Sequence, residues 1–523
     1  MKKKLPIGYS SLSKVIENGC VYIDKTHHVA KLVDAGEYYF LSRPRRFGKS
    51  LFLDTLKQAF LGNKELFKGL YLEKNWNWDI KYPVIHISFA SNQPYTAEYT
   101  LADKINTLLE INADNYGLKL RGNNYSDNFL FLIIDLYNLH NNPVVILIDE
   151  YDKPILDVID DLEKAKTSRE ILRGFYGCLK DNDQYLRFVF LTGVTKFSKV
   201  SLFSGLNNLR DLTINSEYAD ICGYTQAELE DKFNEYLVGV DKKQLKHWYN
   251  GYNFGDHETK KVYNPFDILL FFANDKEYRN YWFETATPTF LLELLKNNRY
   301  YLPDLENLYA SEDLLSSFDI DNIKFETLLF QSGYLTIIDK VSSQLDAADS
   351  YLLNYPNYEV RKSFTSSLLN YFINDNSIIS STNRLLADVL VNHDFDRLKQ
   401  VLTSFFAGLP YNWYVNNNIA EFEGFYATII YCLFNSLGIT AIPEDTTNKG
   451  WIDLTIHLPE YKIIMEFKLT TLGDAKSAIQ QIKDKNYAQK YLAEKKPIYL
   501  IGISFNVNER NLDGLVWEKL VQV

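Results

Sequence analysis

The stretch that decides the fold of the N-terminal part is Arg43–Ser50, which reads RPRRFGKS. A short, mostly apolar run at 37–41 precedes it, and apolar residues recur at helical spacing through Lys49–Phe60. Strand, loop and helix thus come in the order of a phosphate-binding loop, whose backbone N–H groups hold phosphate oxygens at the helix start. Lys49 would then reach the β- and γ-phosphates, and the Ser50 hydroxyl would bind Mg²⁺.

The loop has one unusual feature, because Arg43 stands where such a loop usually opens with Gly. Gly48 is the only glycine in the stretch, and Pro44 fixes part of the backbone. Taken alone, the stretch is equally compatible with a basic loop that ends in a helix.

A second apolar run favours the nucleotide-binding interpretation. Val144–Ile148 is typical of a strand buried on both faces, and Asp149 and Glu150 follow it. Ligands of parallel α/β sheets gather at that end of the strands. Asp149 would hold Mg²⁺ through water, and Glu150 would polarise the attacking water. The alternative is a buried strand that runs into an acidic loop.

Two more strands are predicted at 83–89 and 187–193, with helix-like stretches between the strands. The second contains Thr192, which would sense the γ-phosphate or orient the water. The pattern predicts a three-layer α/β/α core of the P-loop type. Arg173 and Arg210 are the candidates for an arginine that acts in trans.

Near the C-terminus, two runs alternate with period two, at 451–457 and 462–469. A hairpin centred at 459–460 would place Asp453 opposite Glu466, with their Cα atoms about 5 Å apart. Two carboxylates at that distance repel each other unless a cation lies between them. The sequence therefore predicts a metal site on this hairpin.

The residues Asp453, Glu466, Phe467 and Lys468 form the metal-site pattern of a nuclease. Mg²⁺, with Mn²⁺ as the alternative, would bind the two carboxylates and the Phe467 carbonyl and acidify a bound water. Lys468 would orient that water or stabilise negative charge on the phosphate. The alternative is a solvated hairpin in which Lys468 only pairs with Glu466.

Three residues outside the hairpin are further candidates. Glu423 begins a predicted helix, 423–434, and would add a carboxylate, while Glu444 is a weaker candidate for that role. Gln481, on a later helix, would touch the phosphate or Lys468. The helix at 423–434 would cover the apolar face of the hairpin. That face is predicted to carry Ile452, Leu454, Ile456, Ile463, Met465 and Phe467.

Between these ends, 216–400 is mostly helical in pattern. A helix at 324–331, strands at 334–338 and 350–355, and a helix from Glu359 would suit a winged-helix module. Such a module binds DNA or serves as a rigid spacer, and the few basic residues here favour the spacer.

Composition limits the class of protein. With 523 residues the chain exceeds one hydrophobic core, so roughly two to four domains are expected. A net charge of −11 argues against a protein that coats DNA without specificity, although it leaves room for a local basic groove. The sequence has no apolar run long enough for a bilayer, no secretory signal, and no metal-ligand spacing among its four cysteines. We therefore expect a cytoplasmic protein without a membrane partner.

Five stretches resemble the bacterial predicted AAA-ATPase-like family that carries a C-terminal PD-(D/E)XK nuclease domain. They are Tyr22–Thr26, Arg43–Leu51, Ile148–Pro154, Leu191–Asp211 and Cys222–Glu228. In that family RPRRFGKS is the phosphate-binding motif, so the resemblance makes Arg43 a family trait. Two aromatic stretches, Trp248–Phe254 and Tyr281–Pro288, resemble further family signatures and would pack a helical lid beside the nucleotide.

The resemblance implies an ATPase domain at 1–215, a helical lid and winged-helix region at 216–400, and a restriction-endonuclease-like α/β domain at 401–523. It implies ATP and Mg²⁺ as cofactors, nucleic acid and most simply DNA as partner, and an ATPase domain that can form a homo-oligomer. The implied nucleotide-binding residues are Arg43, Pro44, Arg45, Arg46, Phe47, Gly48, Lys49, Ser50, Asp149 and Thr192. Three hypotheses follow. In the first, ATP hydrolysis controls a DNA nuclease, and in the second the chain is a nucleotide-dependent switch or scaffold whose C-terminal domain binds without cutting. The third, a DNA translocase, ranks last because the sequence has no clear motif for tracking along nucleic acid.

Overall fold

The computed structural model describes residues 2–91, 99–197, 202, 206, 208–256, 259–282, 305–316, 318–342, 349–373, 375–410 and 423–520. The chain forms two compact units. The first consists of Met1–Ala286 and Tyr309–Asn357, and the second of Thr287–Leu308 and Tyr358–Val523. The three-domain division from the sequence stays a prediction. Residues 283–288 and part of 191–211, which belong to two of the family-like stretches, lie outside the described residues.

The α-helices of the described residues are numbered here in chain order. They are α1 Leu12–Glu17, α2 Thr26–Ala35, α3 Lys49–Phe60, α4 Leu101–Asp114, α5 Tyr125–His140, α6 Lys153–Leu156, α7 Leu162–Asp181, α8 Gln226–Lys232, α9 Lys242–Tyr249, α10 Pro265–Ala273, α11 Glu312–Ser316, α12 Phe325–Ser332, α13 Tyr358–Ile373, α14 Asn376–Asn392, α15 Phe395–Ala407, α16 Glu423–Ser436 and α17 Ala475–Asp484. None of them is long and apolar enough to cross a membrane.

The β-strands of the described residues are numbered in the same way. They are β1 Tyr38–Ser42, β2 Val84–Ser88, β3 Val144–Asp149, β4 Leu186–Gly193, β5 Arg210–Asp211, β6 Tyr224–Thr225, β7 Asn250–Tyr252, β8 Val262–Tyr263, β9 Leu308–Ser311, β10 Thr336–Ser342, β11 Asp349–Asn354, β12 Thr440–Thr447, β13 Gly450–His457, β14 Lys462–Leu469, β15 Ile498–Asn506 and β16 Asn511–Lys519.

The N-terminal sheet is parallel, with the strand order β2-β3-β4-β1-β5. Its four long strands are the ones that the apolar runs predict, and α3 spans the predicted helix. β1 and β3 are buried along their whole length, as expected of strands covered on both faces. The short edge strand β5 had no signal in the sequence. The three-layer arrangement of helices stays a prediction.

Because the strands are parallel, the C-terminal ends of β1, β3 and β4 lie at one edge of this sheet. Ile148 pairs with Leu191 and Leu41 with Thr192, so the ends of β1, β3 and β4 are level. The loop after β1 and the acidic residues after β3 therefore lie at the same edge.

The middle of the chain is mainly helical and adds two small sheets, β6-β8-β7 and β10-β11-β9. Helices α8, α9 and α10 pack around one apolar cluster, in which Tyr249 and Tyr281 are buried and Trp248 is packed at the margin. These aromatics are therefore core residues. The predicted helix, two strands and helix are present as α12, β10, β11 and α13, but α13 belongs to the second compact unit. The winged-helix arrangement stays a prediction.

The C-terminal sheet is mixed, with the order β12-β13-β14-β15-β16 and one parallel pair, β14 with β15. The hairpin register is the predicted one: Leu454 pairs with Met465, and the next step outward would pair Asp453 with Glu466. Helix α16 packs on the predicted apolar face, where Tyr426 stacks on Phe505 at 4.3 Å.

One part of the predicted face pattern is wrong. Ile452 lies in a cluster with Ile464 and the α17 residue Ile479, not on the face of its neighbour Leu454. The β12–β13 ladder is interrupted opposite Asp453, where Glu444 has a positive φ of 43°. The register of the two strands is the same on both sides of this position.

Candidate functional site

The loop after β1 is closed by the side chain of Lys49. Gly48 has a φ of 94°, a backbone conformation that glycine adopts without strain, and the helix α3 begins directly after it. The Lys49 ammonium donates hydrogen bonds to the carbonyls of Arg43 and Pro44, both at 2.9 Å. Burial lowers the pKa of Lys49, and the negative charge of Asp149 opposes that shift. The lysine is thus held by its own loop, at the place where it would meet phosphate.

The side chain of Arg43 links the loop to the segment 213–218 and to Phe254. Its guanidinium donates to the carbonyls of Thr213 at 2.9 Å and Tyr218 at 3.2 Å and lies 3.9 Å over the ring of Phe254. The side chain is buried, and burial lowers the pKa of Arg43 to about 10. Arg43 and Pro44 are not among the residues that line the neighbouring cavity. The Arg43 side chain therefore holds the loop, and the nucleotide contacts of Arg43 and Pro44 stay predictions.

A cavity of about 450 Å³ opens beside the loop and includes the loop residues from Arg45 to Ser50 in its wall. This volume is within the range of small-molecule sites. Five cationic side chains line the cavity: Lys25, Arg45, Arg46, Lys49 and Lys153. Two acidic side chains, Glu150 and Asp152, line it as well. The excess of positive charge suits a polyphosphate.

The remaining wall of the cavity is mainly apolar or aromatic. It includes Tyr22, Ile23, Pro265, Phe266 and Leu269. The Arg46 guanidinium lies 4.9 Å from the centre of the Phe266 ring. One cavity thus offers charged groups for phosphates and apolar groups for a planar ring.

The acidic residues after β3 lie at the same sheet edge. Asp149 is buried, and its carboxylate accepts the Glu150 N–H at 3.0 Å. Burial and the charge of Asp149 raise the pKa of Glu150. Thr192 is fully buried, and its hydroxyl has no hydrogen-bond partner within the described part of the chain. Glu150 reaches the cavity wall, whereas Asp149 and Thr192 do not line it.

The sequence analysis missed Asp152. Its Oδ2 accepts from the N–H groups of Val194 at 3.0 Å and Thr195 at 2.6 Å and from the Thr195 hydroxyl at 2.6 Å. Asp152 therefore ties the segment after β3 to the segment after β4. Its position in the sequence could have revealed it, because Asp152 is a third acidic residue directly after Asp149 and Glu150.

Neither candidate for a trans-acting arginine lines the cavity. Arg173 is exposed and pairs with Glu170 at 3.5 Å, and Arg210 pairs with Glu217 at 3.4 Å. Both are half exposed, as a contact with another subunit would require.

At the other candidate site, the hairpin brings Asp453, Glu466 and Lys468 together. The Phe467 N–H donates to Asp453 Oδ2 at 2.7 Å, and the Lys468 ammonium lies 3.5 Å from Glu466 Oε1. Glu466 is 1% exposed, and its Oε2 atom has no hydrogen-bond partner among the described residues. A buried carboxylate oxygen without a partner is costly, so this atom is suited to a cation.

The electrostatics of the two carboxyls agree with this geometry. Burial raises the pKa of Asp453 above its usual range, and the charge of Glu423 adds to the shift. Burial and the charge of Asp453 raise the pKa of Glu466. The charge of Lys468 lowers both pKa values and does not cancel the shifts. Two carboxyls that resist simultaneous ionisation form a favourable site for a divalent cation.

Gln481 lies at this site. Its amide nitrogen donates to Glu466 Oε1, the oxygen that Lys468 also approaches, and its predicted contact with phosphate or Lys468 stays a prediction. Burial and the charge of Glu466 raise the pKa of Tyr487, a neighbouring residue that the sequence analysis missed. The α17 face thus supports the Glu466 side chain from the direction opposite to the sheet.

Glu423 and Glu444 lie near the pair in different ways. Burial raises the pKa of Glu423 and the charge of Lys468 lowers it, so these two side chains are neighbours. Glu444 is exposed, and its charge contributes to the raised pKa of Asp453. Within the described residues, no group of three or more His, Cys, Asp or Glu side chains is arranged as a metal site. A cation here would therefore rely on Asp453, Glu466 and backbone oxygen.

Comparison with known protein families gives one match for each of the two regions that contain a candidate site. Residues 6–203 match the family model described as "Predicted AAA-ATPase", and residues 421–514 match the model described as "PD-(D/E)XK nuclease superfamily". The chain belongs to the predicted AAA-ATPases that carry a C-terminal PD-(D/E)XK nuclease superfamily domain. It is 43% identical over 522 residues to "Uncharacterized protein in vnfD 5'region" of Azotobacter chroococcum mcd 1, and the match covers 99% of each chain. No solved structure matches the chain.

In this predicted AAA-ATPase the two matched regions contain the two candidate sites. The first match includes the RPRRFGKS loop, Asp149, Glu150 and Thr192. The second includes Glu423, Asp453, Glu466, Lys468 and Gln481. Cys222 and Phe266 of the cavity wall lie beyond the first match, so the cavity depends on residues that follow the matched ATPase region.

Proposed function

We propose that this chain binds and hydrolyses ATP in its N-terminal cavity and thereby controls a metal-dependent DNA phosphodiesterase at its C-terminus. The observation that carries the proposal is the buried Glu466 carboxylate, which has an oxygen without a described partner, next to Asp453 and Lys468. A P-loop lysine in the same chain adds the nucleotide dependence.

On the ATPase side, Lys49 would exchange the two loop carbonyls for β- and γ-phosphate oxygens. Ser50 and Asp149 would hold the Mg²⁺ that accompanies ATP. Glu150, whose pKa is raised by burial and by Asp149, suits a residue that takes a proton from the attacking water. The unpartnered Thr192 hydroxyl would supply a hydrogen bond to the γ-phosphate or to that water.

On the nuclease side, Asp453 and Glu466 would hold Mg²⁺ or Mn²⁺. The cation, when bound, neutralises phosphate charge and acidifies water. Lys468 would stabilise the negative charge that develops on the scissile phosphate, because its ammonium lies beside the carboxylate pair. Gln481 would keep the Glu466 side chain in place, since it donates to the oxygen that faces α17.

The first test is cleavage of plasmid, linear duplex and single-stranded DNA with Mg²⁺ or Mn²⁺, with and without ATP. Lys468→Ala should abolish cleavage and leave ATP hydrolysis unchanged. Lys49→Ala should reduce ATP hydrolysis about 100-fold or more and alter cleavage. Lys57→Ala, on the same helix α3, is the matched control and should change neither activity. Cleavage that survives Lys468→Ala would contradict the nuclease assignment.

A second candidate function is a nucleotide-dependent switch whose C-terminal domain binds nucleic acid or protein without cutting it. The observation that favours it is the low accessibility of Glu466. Its carboxylate is almost fully buried and accepts a hydrogen bond from Gln481, so a cation has little access to it in this conformation. ATP turnover that depends on Lys49, together with no cleavage under any metal condition, would support the switch.

A further inference from the structure

An exposed tryptophan stands next to the candidate metal site. Trp451 is 65% exposed, although large aromatic side chains gain most from burial. It precedes Asp453 by two residues on β13, which corresponds to about 7 Å between their Cα atoms. An exposed aromatic ring about one nucleotide's length from a candidate reactive centre is placed where a base of a bound strand could contact it.

The hairpin holds the Trp451 backbone in place. Trp451 pairs with Thr446 in the β12–β13 ladder, and the Thr447 hydroxyl donates to the Gly450 carbonyl at 2.8 Å across the turn. The Lys490 ammonium donates to the Thr446 carbonyl at 3.0 Å and also contacts Asp445. A side chain presented from such a fixed turn loses little backbone freedom when it binds a ligand.

Lysines lie near Trp451, one of them paired with Asp445. Lys449 lies in the turn, and Lys490 contacts the strand opposite Trp451. The segment 468–496, which includes α17 and packs on the Glu466 side of the sheet, has seven lysines against three acidic residues, in a chain whose net charge is −11. A phosphate backbone is the ligand that such a local excess of lysine attracts.

We propose that Trp451 is a stacking platform for an unpaired base of the nucleic acid strand whose phosphate meets Asp453, Glu466 and Lys468. The substrate class is then a single strand, or a duplex with unpaired bases at the cleavage point. Bases in an intact duplex have both faces covered by their neighbours, whereas an unpaired base offers a face to an aromatic side chain. This inference rests on the proposed nuclease site and adds its substrate class.

The test is equilibrium binding of the full chain in EDTA, measured by fluorescence anisotropy, so that cleavage does not contribute. The probes are a thymidine 20-mer, an abasic strand of equal length, and a blunt duplex. Trp451→Ala should weaken binding of the thymidine strand about 5- to 150-fold and leave the abasic strand and the duplex unchanged. Trp451→Phe should keep most of the affinity. Because the side chain is exposed, neither substitution removes core packing.

Two controls separate stacking from charge. Lys449→Ala should weaken binding of the thymidine and abasic strands alike, because it removes a phosphate contact only. Tyr309→Ala, at an aromatic residue of equal exposure in the other compact unit, should weaken neither. Equal losses for thymidine and abasic strands in Trp451→Ala, or no loss for either, would overturn the stacking proposal. If stacking is found while no cleavage occurs under any metal condition, only the nuclease activity fails.

Discussion

At the scale of single residues, Glu466 is the residue that most strongly indicates a cation site. Its carboxyl is buried between the sheet and α17, next to a second carboxyl and one lysine. A carboxylate kept in this state lowers the stability of the metal-free protein, because burial and the charge of Asp453 penalise ionisation. Sites that bind a cation commonly have this property, since the cation removes the penalty.

The raised pKa of Glu466 gives a pH dependence with a definite sign. Between the unfolded value of about 4.3 and the higher folded value, the folded protein binds more protons than the unfolded chain. Its free energy of unfolding therefore falls as pH rises through that window. Glu466→Gln removes this contribution, so the stability of the variant relative to wild type should rise by up to roughly 1.4 kcal/mol per pH unit.

Thermal unfolding in EDTA at several values from about pH 5 to about pH 8 measures this difference. Glu460→Gln, at an exposed glutamate in the turn of the same hairpin, is the control and should follow wild type at every pH. Mg²⁺ should stabilise wild type most at the alkaline end and should not stabilise Glu466→Gln. A constant difference between Glu466→Gln and wild type across the pH range contradicts the raised pKa.

At the scale of elements, Asp152 joins the ends of β3 and β4. Asp152→Ala leaves two backbone N–H groups and the Thr195 hydroxyl without their acceptor in a buried place, which should cost roughly 2–4 kcal/mol of unfolding free energy. Asp152→Asn keeps one carbonyl acceptor and should cost less. The exposed Asp160→Ala is the control, and chemical denaturation is the measurement. If Asp152→Ala lowered the unfolding free energy as little as Asp160→Ala, the proposed stabilising link between the ends of β3 and β4 would be wrong.

A second contact between elements depends on Gly251 in β7. Its φ is 140°, and a Cβ atom there would lie 1.8 Å from the carbonyl oxygen of Pro356, which follows β11. Gly251→Ala should therefore separate the two segments and cost more than about 3 kcal/mol. Gly239→Ala has a positive φ of 77° but nothing within 4 Å, and should cost about 1 kcal/mol. Similar costs for both variants would show that the close approach is unimportant.

The local elements could be predicted because their signals are local. Lys49–Phe60 has a helical apolar period directly after a glycine, and the alternation on both sides of 459–460 fixed the hairpin register. The positions of Asp149 and Thr192 at one sheet edge follow from parallel pairing. The catalytic and binding roles of these residues stay predictions.

The remaining features depend on contacts between distant parts of the chain. Arg43 is held by carbonyls about 170 residues away, so nothing in RPRRFGKS indicates that its side chain turns away from the cavity. Gln481 contacts Glu466 because α17 packs on that face, and Ile452 lies in the cluster that includes the α17 residue Ile479. The segment around Gln481 has no signal of this contact, and the period-two alternation of 451–457 predicts the wrong face for Ile452.

At the scale of the whole molecule, control of one site by the other is a free energy of coupling, and such coupling is reciprocal. If ATP binding changes the affinity for DNA by some factor, DNA must change the affinity for ATP by the same factor. We expect a factor of at least about 5, the lower end for coupled sites. The measurement is the affinity for a non-hydrolysable ATP analogue with and without a saturating thymidine 20-mer, and the converse titration, both with Ca²⁺ in place of Mg²⁺.

The variants that silence each site provide the controls for this coupling. The affinity of Lys49→Ala for the oligonucleotide should be the same with and without the analogue, because the variant lacks the lysine that would bind the phosphates of the analogue. Lys468→Ala should keep normal analogue binding, because the substitution lies in the other compact unit. A factor of one in both titrations of the wild-type protein would mean that two independent sites share one chain, and the proposed control by ATP would then be wrong. Unequal factors would show that the oligonucleotide is still cleaved during the titration, because equilibrium linkage does not permit them.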